Sequence, residues 1–517
     1  MLLKLKAFVW KNYPTIFIII ILLIAAFFRI YKISDYLTFL GDEGRDVMTV
    51  RGILQGDFVF IGPRASAADF FTGPIYYYMM APFLLLSNFN PVGPAIMIAL
   101  LSVATVYLIY RFGSEWFGKP AALVAAALYT IAPLVIQYSR SSWNPNAMPF
   151  FTLLILYLLY KFIQKPSVTK FILIGILYGF AFQLHYLEVF VGVIMGAFIL
   201  IGNTLISKKD LAIRVAKQYL SIFAGFLIGL SPFLAFEIKN GFPNTKTIFS
   251  FIIYGTPNSP DLTNTPFIET VINVFFRLFG RVVMYYPPPD KTMLYDDTAL
   301  KFWGIAVIVI GVASTLLIFK IKDKLARLLF GLWIFLGVIL FGFYHKPIYD
   351  YYFEFMFPLP FLLIGNLIAF LFAKKHVFKV IAVAAFLLLV YLNWLGYPFR
   401  YPGNRQYEQV KAISEFILDK AEGKPFNFAL LTLGNSDHAY RYIFEVEGHP
   451  PTIIDYPGID PERKTVTDQL FVICEDPNCQ PLGASLWEVA GFGRAEIEAE
   501  WPVTVLKVYK LVPLKGE

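Results

Sequence analysis

A series of long apolar runs constrains the fold of this 517-residue chain more than any other feature. There are about eleven such runs, and each approaches the roughly 20 residues that a helix needs to cross a bilayer. Polar and apolar residues do not alternate along the first run, 14–31, as they would in a membrane β-strand. Only 15% of the residues are charged, against about 25% in an average soluble domain. The sequence therefore predicts an all-α polytopic membrane protein.

The loops between these runs fall into two classes by charge. Lysine and arginine collect in every second loop, as at Lys161, Lys165 and Lys170, which is the positive-inside pattern. The alternation holds only if the apolar stretch 71–88 does not cross, so we expect it to lie along the outer surface or to dip in and return. The N-terminus is then cytoplasmic and the C-terminus extracytoplasmic. The predicted spans are 14–31, 93–112, 120–138, 147–164, 170–186, 187–206, 218–238, 300–320, 326–344, 352–373 and 378–397.

The net charge of +8 does not indicate a nucleic-acid partner. The basic residues that produce it lie in the short loops of a membrane protein, so the lipid bilayer is the expected partner. Three lysines precede the first span, as they would in a signal peptide. No convincing small-residue cleavage site follows, and we interpret the run as a retained span. The expected location is the plasma membrane of a prokaryote.

The predicted domains are a transmembrane domain, 1–397, and an extracytoplasmic domain, 398–517. Two long outer loops, 32–91 and 239–299, interrupt the first domain. The second loop holds the amphipathic run 266–286 and the turn Pro287-Pro288-Pro289-Asp290. The tail is polar, and its sequence predicts a small α/β domain. β-branched and aromatic runs indicate strands there, and one further segment has a helical pattern. Its predicted elements are a helix at 406–420 and strands at 428–433, 470–474 and 503–511.

The chain's two cysteines, Cys474 and Cys479, both lie in this tail. Outside the cytoplasm they could close a small disulfide loop. The other reading is two free thiols at a strand end. A zinc site is less favoured, because two cysteines do not complete a tetrahedral sphere and no histidine spacing supplies the rest.

A charged run, Gly41-Asp42-Glu43-Gly44-Arg45-Asp46, follows the first span by about a dozen residues. Polar groups beside a bilayer are costly unless they meet water, a partner or a substrate. The run begins a predicted amphipathic helix, 42–55. Asp42 and Glu43 are the predicted catalytic carboxylates, since a carboxylate there could accept a proton from an acceptor hydroxyl. Alternatively, Asp42 is an N-cap and Glu43 favours the helix dipole. The planar guanidinium of Arg45 suits a phosphate.

With these residues the sequence resembles the GT-C membrane glycosyltransferases, closest to their aminoarabinose transferase and protein O-mannosyltransferase branch. The resemblance rests on an ordered set of motifs. It implies transfer of a sugar from a polyprenyl-phosphate donor to an acceptor glycolipid, glycan or protein at the outer face. It also implies that Asp42 is a base or positions the acceptor, and that Arg45 contacts the carrier phosphate. The motifs are Asp42-Glu43-Gly44-Arg45, Gly56-Asp57-Phe58, Gly73-Pro74-Ile75-Tyr76-Tyr77 and Ser139-Arg140-Ser141-Ser142-Trp143-Asn144.

Further outward residues are candidates for substrate binding. Arg140 could hold a phosphate or serve as an interfacial anchor. His185 lies with Glu188 in a tight outer turn that is either a site or simply polar. The dense run 344–352 is either a site near the carrier phosphate or an aromatic belt. The substrate-binding candidates beyond Arg45 and Arg140 are His345, Tyr349, Tyr352, Arg64, His185 and Lys291.

No cofactor is predicted, and a divalent metal is disfavoured without being excluded. Asn144 and Asn146 stand where the family has an acidic residue after Arg140, and two separated carboxylate pairs would make a better divalent site. Thr72 and Gly73 stand where the aminoarabinose branch often has a lysine.

We expect a hexosyl or pentosyl transferase that inverts the anomeric centre by single displacement, because no second carboxylate is evident as a nucleophile. One alternative is a transporter or flippase, although transporters usually place ionisable residues at mid-membrane. Another is a non-catalytic scaffold or receptor that binds a partner through its tail.

Overall fold

The computed structural model describes residues 2–65, 70–254, 265–285, 297–344, 346–476 and 479–514. Two predicted binding residues, Lys291 and His345, and the turn 287–290 lie outside these ranges. The chain divides into two compact units, and each is described by itself. The membrane unit comprises Met1–Tyr31, Val59–Tyr76 and Ile96–Tyr401, and the tail unit comprises Lys32–Phe58, Tyr77–Ala95 and Pro402–Glu517.

The described residues contain eight helices that are long and apolar enough to cross a membrane, or up to nine if one bent pair counts as a span. That pair, Asp350–Met356 and Pro358–Phe372, bends by 60°. The protein is a multi-pass membrane protein. The eight are Asn12–Ile30, Val92–Phe117, Asn144–Gln164, Tyr186–Ile206, Leu211–Gly229, Asp297–Lys320, Lys324–Phe343 and His376–Leu395.

Two further predicted spans are shorter helices in the structure. The run predicted at 120–138 divides into Lys119–Ile131 and Pro133–Tyr138, because Pro133 cannot continue the helical hydrogen bonding of the preceding turn. The run predicted at 170–186 is the helix Val168–Leu184. The stretch predicted not to cross, 71–88, holds the short apolar helix Ile75–Leu86. The remaining short helical segments are Ile33–Tyr36, Ser231–Lys239, Pro243–Tyr254, Phe267–Arg277, Leu278–Val283 and Pro398–Arg400.

Pairs of glycines bring two membrane helices, Val168–Leu184 and Leu211–Gly229, into close contact. A Cβ added at Gly175 would lie 2.1 Å from the carbonyl oxygen of Ile222, and one at Gly225 would lie 2.1 Å from that of Ile172. Each helix repeats a glycine four residues on, at Gly179 and Gly229. Small residues at this spacing let helix backbones approach where no hydrophobic effect drives association.

Charged groups are also buried within the spans. Arg29 is fully buried and donates to Ser102 Oγ at 2.7 Å. Glu188 is fully buried, and its Oε1 accepts from Thr152 Oγ1 at 2.8 Å. Such groups are tolerated because their polar partners lie inside the bundle.

The tail unit contains a four-stranded sheet with the order β1-β2-β4-β3. β1 (Asn427–Leu431) runs parallel to β2 (Leu470–Cys474), and β4 (Leu506–Pro513) is antiparallel to both β2 and β3 (Ala495–Val503). Every residue of β2 is buried, as expected of a central strand covered on both faces. The unit's helices after the membrane spans are Gln406–Ala421, His438–Val446 and Trp487–Ala490.

Most of the predicted tail elements are present. The predicted helix at 406–420 and the predicted strands at 428–433, 470–474 and 503–511 overlap the helix Gln406–Ala421 and the strands β1, β2 and β4, but β3 and the helix His438–Val446 were not predicted. β3 lies at the edge of the sheet beside β4, and glutamates alternate with apolar residues from Ala495 to Trp501. This is the period-two pattern of a half-exposed strand, so the sequence did carry a signal for β3. Cys474 and Cys479 form a disulfide, so the free-thiol reading is wrong.

Candidate active site

The predicted catalytic residues lie on one helix of the tail unit, Gly41–Gln55, which we call the first-loop helix. Leu40 occupies the N-cap position, so Asp42 lies inside the first turn and is not the N-cap. The Glu43 carboxylate instead accepts the backbone N–H of Leu40 at 3.1 Å, as in one half of a capping box. The helix ends at Gly56, whose φ of 108° is readily adopted only by glycine.

Arg45 lies between two carboxylates of this helix. Its Nη1 donates to Asp42 Oδ1 at 2.8 Å, and its Nε and Nη2 donate to Asp46 Oδ1 at 3.0 and 2.8 Å. The Asp42 side chain is 64% exposed, whereas that of Asp46 is 1% exposed. Arg45 is therefore anchored on its buried side and presents its Nη1 edge to solvent together with Asp42.

Asp46 is a buried acid that the sequence analysis did not single out. The Tyr77 hydroxyl donates to its Oδ1 at 3.2 Å, while its Oδ2 is buried without a hydrogen-bond partner among the described residues. Burial raises the pKa of Asp46 to about 6, against the opposing effect of Arg45. Burial also raises the pKa of Glu43 to about 7. Both carboxyl groups therefore gain protons at a higher pH than a solvated acid.

The tail unit also places a histidine beside this cluster. His438 begins the helix His438–Val446, and its Nδ1 lies 2.8 Å from Ser436 Oγ. Burial lowers the pKa of His438, and the charge of Arg45 acts in the same direction. His438 is therefore favoured as a neutral imidazole near neutral pH.

The described atoms favour a particular chemistry for the first-loop helix. Asp42 is an exposed carboxylate at a helix N-terminus, where the helix dipole stabilises negative charge. Its partner Arg45 has a planar guanidinium that binds phosphate oxygens well. An exposed base beside a phosphate-binding cation suits the transfer of a group from a phosphate ester to a hydroxyl.

Arg140 belongs to the membrane unit and is buried, with 2% exposure. Its Nη1 and Nη2 each donate at 2.7 Å to carbonyl oxygens, those of Phe28 and Tyr31. The guanidinium lies 4.9 Å from the ring centroid of Phe399. These contacts satisfy carbonyls at the end of the first helix and favour the anchoring reading over phosphate binding.

His185, Tyr349 and Tyr352 meet in an aromatic cluster of the membrane unit. The buried His185 ring stacks on Tyr186 at 4.5 Å and lies 5.2 Å from Tyr352, which is 2% exposed. Its Nδ1 accepts the N–H of Leu187 at 3.2 Å, so this nitrogen has a structural role. Tyr349 is 54% exposed. Of these three residues, Tyr349 presents the most surface to a substrate.

Two arginines of the membrane unit share one carboxylate. Arg277 Nε donates to Asp350 Oδ1 at 2.9 Å, and Arg281 Nη2 lies 2.8 Å from Asp350 Oδ2. The segment Leu278–Val283 is π-helical, a wide turn that often occurs at functional sites. Two cations on one buried anion leave a net positive charge that could bind a phosphate.

The predicted residues are divided between the two units. Asp42, Glu43 and Arg45 lie together in the tail unit, while the described candidates Arg64, Arg140, His185, Tyr349 and Tyr352 belong to the membrane unit. Arg64 is exposed and forms an isolated bridge with Phe71. Sequence reasoning missed Asp46, Arg277 and Arg281. The direct succession Arg45-Asp46 and the four-residue spacing of the two arginines in an amphipathic run were available signals.

The fold matches that of solved proteins along almost the whole chain. The crystal structure of ArnT from Cupriavidus metallidurans, bound to undecaprenyl phosphate, aligns with a TM-score of 0.61 over 97% of this chain and 98% of that chain, at 13% identity. The protein has the GT-C fold. The fold that the first-loop motifs imply is therefore confirmed. AglB of Archaeoglobus fulgidus, an archaeal oligosaccharyltransferase in complex with an inhibitory peptide and a dolichol-phosphate, aligns with a TM-score of 0.53 at 14% identity over 90% of this chain and 70% of that chain.

Sequence comparisons agree with this GT-C assignment. Residues 72–236 match the family model described as dolichyl-phosphate-mannose-protein mannosyltransferase. YkcB and YycA of Bacillus subtilis, both named as mannosyltransferases, are 27% and 26% identical over 224 and 220 residues. Each match covers 41% of this chain and 30% of the relative. The matches do not favour the transporter alternative.

Proposed function

We propose that this GT-C protein is a glycosyltransferase that moves a sugar from a polyprenyl-phosphate donor to an acceptor hydroxyl at the outer face of the plasma membrane. One observation carries the proposal: the exposed carboxylate of Asp42 is paired with Arg45 at 2.8 Å at the start of the first-loop helix. The chemistry of this pair fits a phosphate leaving group and a hydroxyl nucleophile.

The proposed reaction is a single displacement. The acceptor oxygen attacks the anomeric carbon of the sugar, and its proton passes to Asp42. The bond from that carbon to the phosphate oxygen breaks, and polyprenyl phosphate leaves with the electron pair. Arg45 stabilises the charge that develops on this phosphate. A single displacement inverts the anomeric configuration, since no covalent intermediate forms.

Arg45 uses three of its five N–H groups on Asp42 and Asp46, which leaves one N–H on Nη1 and one on Nη2 for a phosphate. The hydrogen bond from Nη1 to Asp42 is exposed to solvent, whereas Nε and Nη2 donate to the buried Asp46. Exchange of Asp42 for a phosphate oxygen at Nη1 would free the carboxylate to act as a base at the moment when the donor binds. Arg277 and Arg281 are a second proposed site for the carrier phosphate, because both flank the single carboxylate of Asp350.

The substrate class follows from the relatives. The matching family model and both Bacillus proteins are named for mannosyl transfer, so we favour a hexosyl donor over a pentosyl one. ArnT with undecaprenyl phosphate and AglB with dolichol-phosphate support a long isoprenoid carrier. The proposed acceptor is a glycolipid, glycan or protein of the cell envelope. We propose that the reaction needs no metal, since Arg45 supplies the positive charge at the leaving group.

The test compares Asp42→Asn with the unaltered protein in liposomes that contain an undecaprenyl-phosphate hexose and an envelope fraction as acceptor. Release of undecaprenyl phosphate is followed by mass spectrometry. We expect the variant to lose about 10²-fold or more in turnover while its unfolding temperature stays unchanged. Asp419→Asn is the matched control, because Asp419 is 72% exposed and pairs with Lys420 at 3.0 Å. An Asp42→Asn protein with full turnover would refute the proposed role, and retention of the anomeric configuration would refute single displacement.

A further inference from the structure

The tail unit holds the start of the first-loop helix through one amide side chain. We infer that Asn435 is a positioning residue that fixes the first peptide of the first-loop helix, so that the tail sheet is an integral part of the active site. The inference rests on the proposed function of Asp42, and it gives the tail a role that the sequence analysis left open.

Asn435 makes four contacts with strict donor and acceptor roles. Its Oδ1 accepts the backbone N–H of Gly41 at 2.9 Å and that of Ser436 at 2.8 Å. Its Nδ2 donates to Glu475 Oε1 and Oε2 at 3.0 and 3.2 Å. Two N–H donors on one side and a carboxylate on the other determine the orientation of the amide, because the reversed amide would lose all four contacts.

Glu475 is itself fixed by the sheet. It follows Cys474, the last residue of β2, and its backbone N–H donates to Leu431 O at 3.0 Å. The disulfide between Cys474 and Cys479 constrains the same turn. A continuous set of contacts therefore runs from β2 through Glu475 and Asn435 to Gly41, the residue before Asp42.

The first-loop helix also packs closely against the C-terminal part of the tail unit. A Cβ added at Gly41 would lie 2.0 Å from Ser436 Oγ, and one at Gly44 would lie 2.3 Å from the backbone nitrogen of Ala439. Only glycine permits such an approach of two backbones. Further along the helix, Arg51 Nη1 pairs with Glu445 Oε2 at 3.3 Å. The contact of Asn435 is thus one end of an extended interface. This interface sets both the position of the first-loop helix along its axis and its rotation about that axis.

The contact between Asn435 and Gly41 matters because Asp42 is the next residue along the chain. The N–H of Gly41 is one of the helix N-terminal donors without an intrahelical partner. If it is released, the first turn can shift, and with it the carboxylate that must meet the acceptor hydroxyl. A misplacement of about 1 Å in a catalytic group can cost about 10²-fold in rate. Asn435 would then act on kcat through Asp42, without touching the substrate.

Exchange of the hydrogen-bond donor and acceptor between Asn435 and Glu475 tests the inference. Asn435→Asp keeps the acceptor for Gly41 but sets a carboxylate against Glu475, so we expect kcat to fall by about 10–100-fold with little change in the KM for the donor. Glu475→Gln alone keeps an acceptor for Nδ2, and we expect kcat to stay within about 2-fold of the unaltered protein. The double variant restores a donor–acceptor pair in reverse, and we expect it to recover most of the lost kcat.

A second readout does not depend on activity. Hydrogen–deuterium exchange at the amides of residues 41–44 should rise in Asn435→Asp and return in the double variant, even if no transfer is detected for any protein. In that case the proposed function fails while the positioning contact stands. Asn427→Ala controls for general damage, since Asn427 donates to Thr452 O and Thr465 O inside the tail. It should lower the unfolding temperature but leave kcat unchanged.

Three results would overturn the inference. One is an Asn435→Asp protein with unchanged kcat and unchanged exchange at the first-loop helix. Another is a double variant as impaired as the single one, because the effect would then not act through the contact with Glu475. An equal loss of kcat in Asn427→Ala would also overturn it, since any weakening of the tail would then suffice.

Discussion

Relative to the unaltered protein, replacement of Asp46 by asparagine should stabilise the tail unit more at neutral pH than at acid pH. Burial raises the pKa of Asp46 from 3.8 to about 6 in the folded protein. Between these values the folded protein keeps a proton that the unfolded chain has lost, so stability falls as the pH rises. An asparagine side chain cannot ionise, and Asp46→Asn therefore removes this dependence. Its amide oxygen can still accept from Arg45 and Tyr77.

The size of the effect follows from the pKa. One pKa unit corresponds to about 1.4 kcal/mol, so a rise from 3.8 to about 6 gives about 3 kcal/mol. Asp46 is 1% exposed, and no large correction for solvent screening is needed. Part of this change already occurs below pH 4, so the free energy of unfolding of Asp46→Asn, minus that of the unaltered protein, should increase by about 2.5 kcal/mol between pH 4 and pH 7. Above pH 7 the difference should stay constant.

Thermal unfolding in detergent, followed by tryptophan fluorescence at several pH values, measures this difference. For a unit of roughly 150–250 residues, 1 kcal/mol shifts the unfolding temperature by about 2–4 °C, so the two proteins should diverge by about 5–10 °C between pH 4 and pH 7. Asp419→Asn removes one exposed carboxylate and controls for net charge. A difference in unfolding temperature that does not change with pH would contradict the expected effect of burial on Asp46. A divergence of opposite sign would also contradict it, and would show that the ion pair with Arg45 outweighs burial.

Three further predictions concern packing, the carrier phosphate and metal. Gly44→Ala should destabilise the tail unit by about 1–3 kcal/mol in thermal unfolding, because the added Cβ meets the Ala439 backbone, whereas Gly52→Ala on the same helix meets nothing closer than 3.7 Å and should not destabilise it. Arg281→Gln removes one cation from Asp350 and should raise the donor KM at least about 10-fold with a smaller effect on kcat; an unchanged KM would exclude the arginine pair from donor binding. A chelator such as EDTA should leave turnover unchanged, and loss of turnover that Mg²⁺ or Mn²⁺ restores would contradict the metal-free reaction.

The sequence predicted the elements that depend on neighbouring residues. The first-loop helix was predicted at 42–55 and runs from Gly41 to Gln55, because its apolar spacing and acidic first turn are local properties. The break at Pro133 and the edge strand β3 were not predicted, although both have local signals: a proline within the apolar run, and strict alternation of glutamate and apolar residues over 495–501. Asp42 and Arg45 were found because their motif is contiguous.

The membrane class, the GT-C resemblance and the candidates Asp42 and Arg45 follow from the sequence alone, because span length, loop charge and short motifs are properties of neighbouring residues. The groups that support Asp42 and Arg45 are visible only in the folded chain. Asn435 reaches Gly41 across 394 residues of sequence, and Arg277 reaches Asp350 across 73. Tyr77 and the burial of Asp46 likewise depend on how the chain returns on itself. Contacts of this kind arise from the packing of distant segments, which no local pattern records.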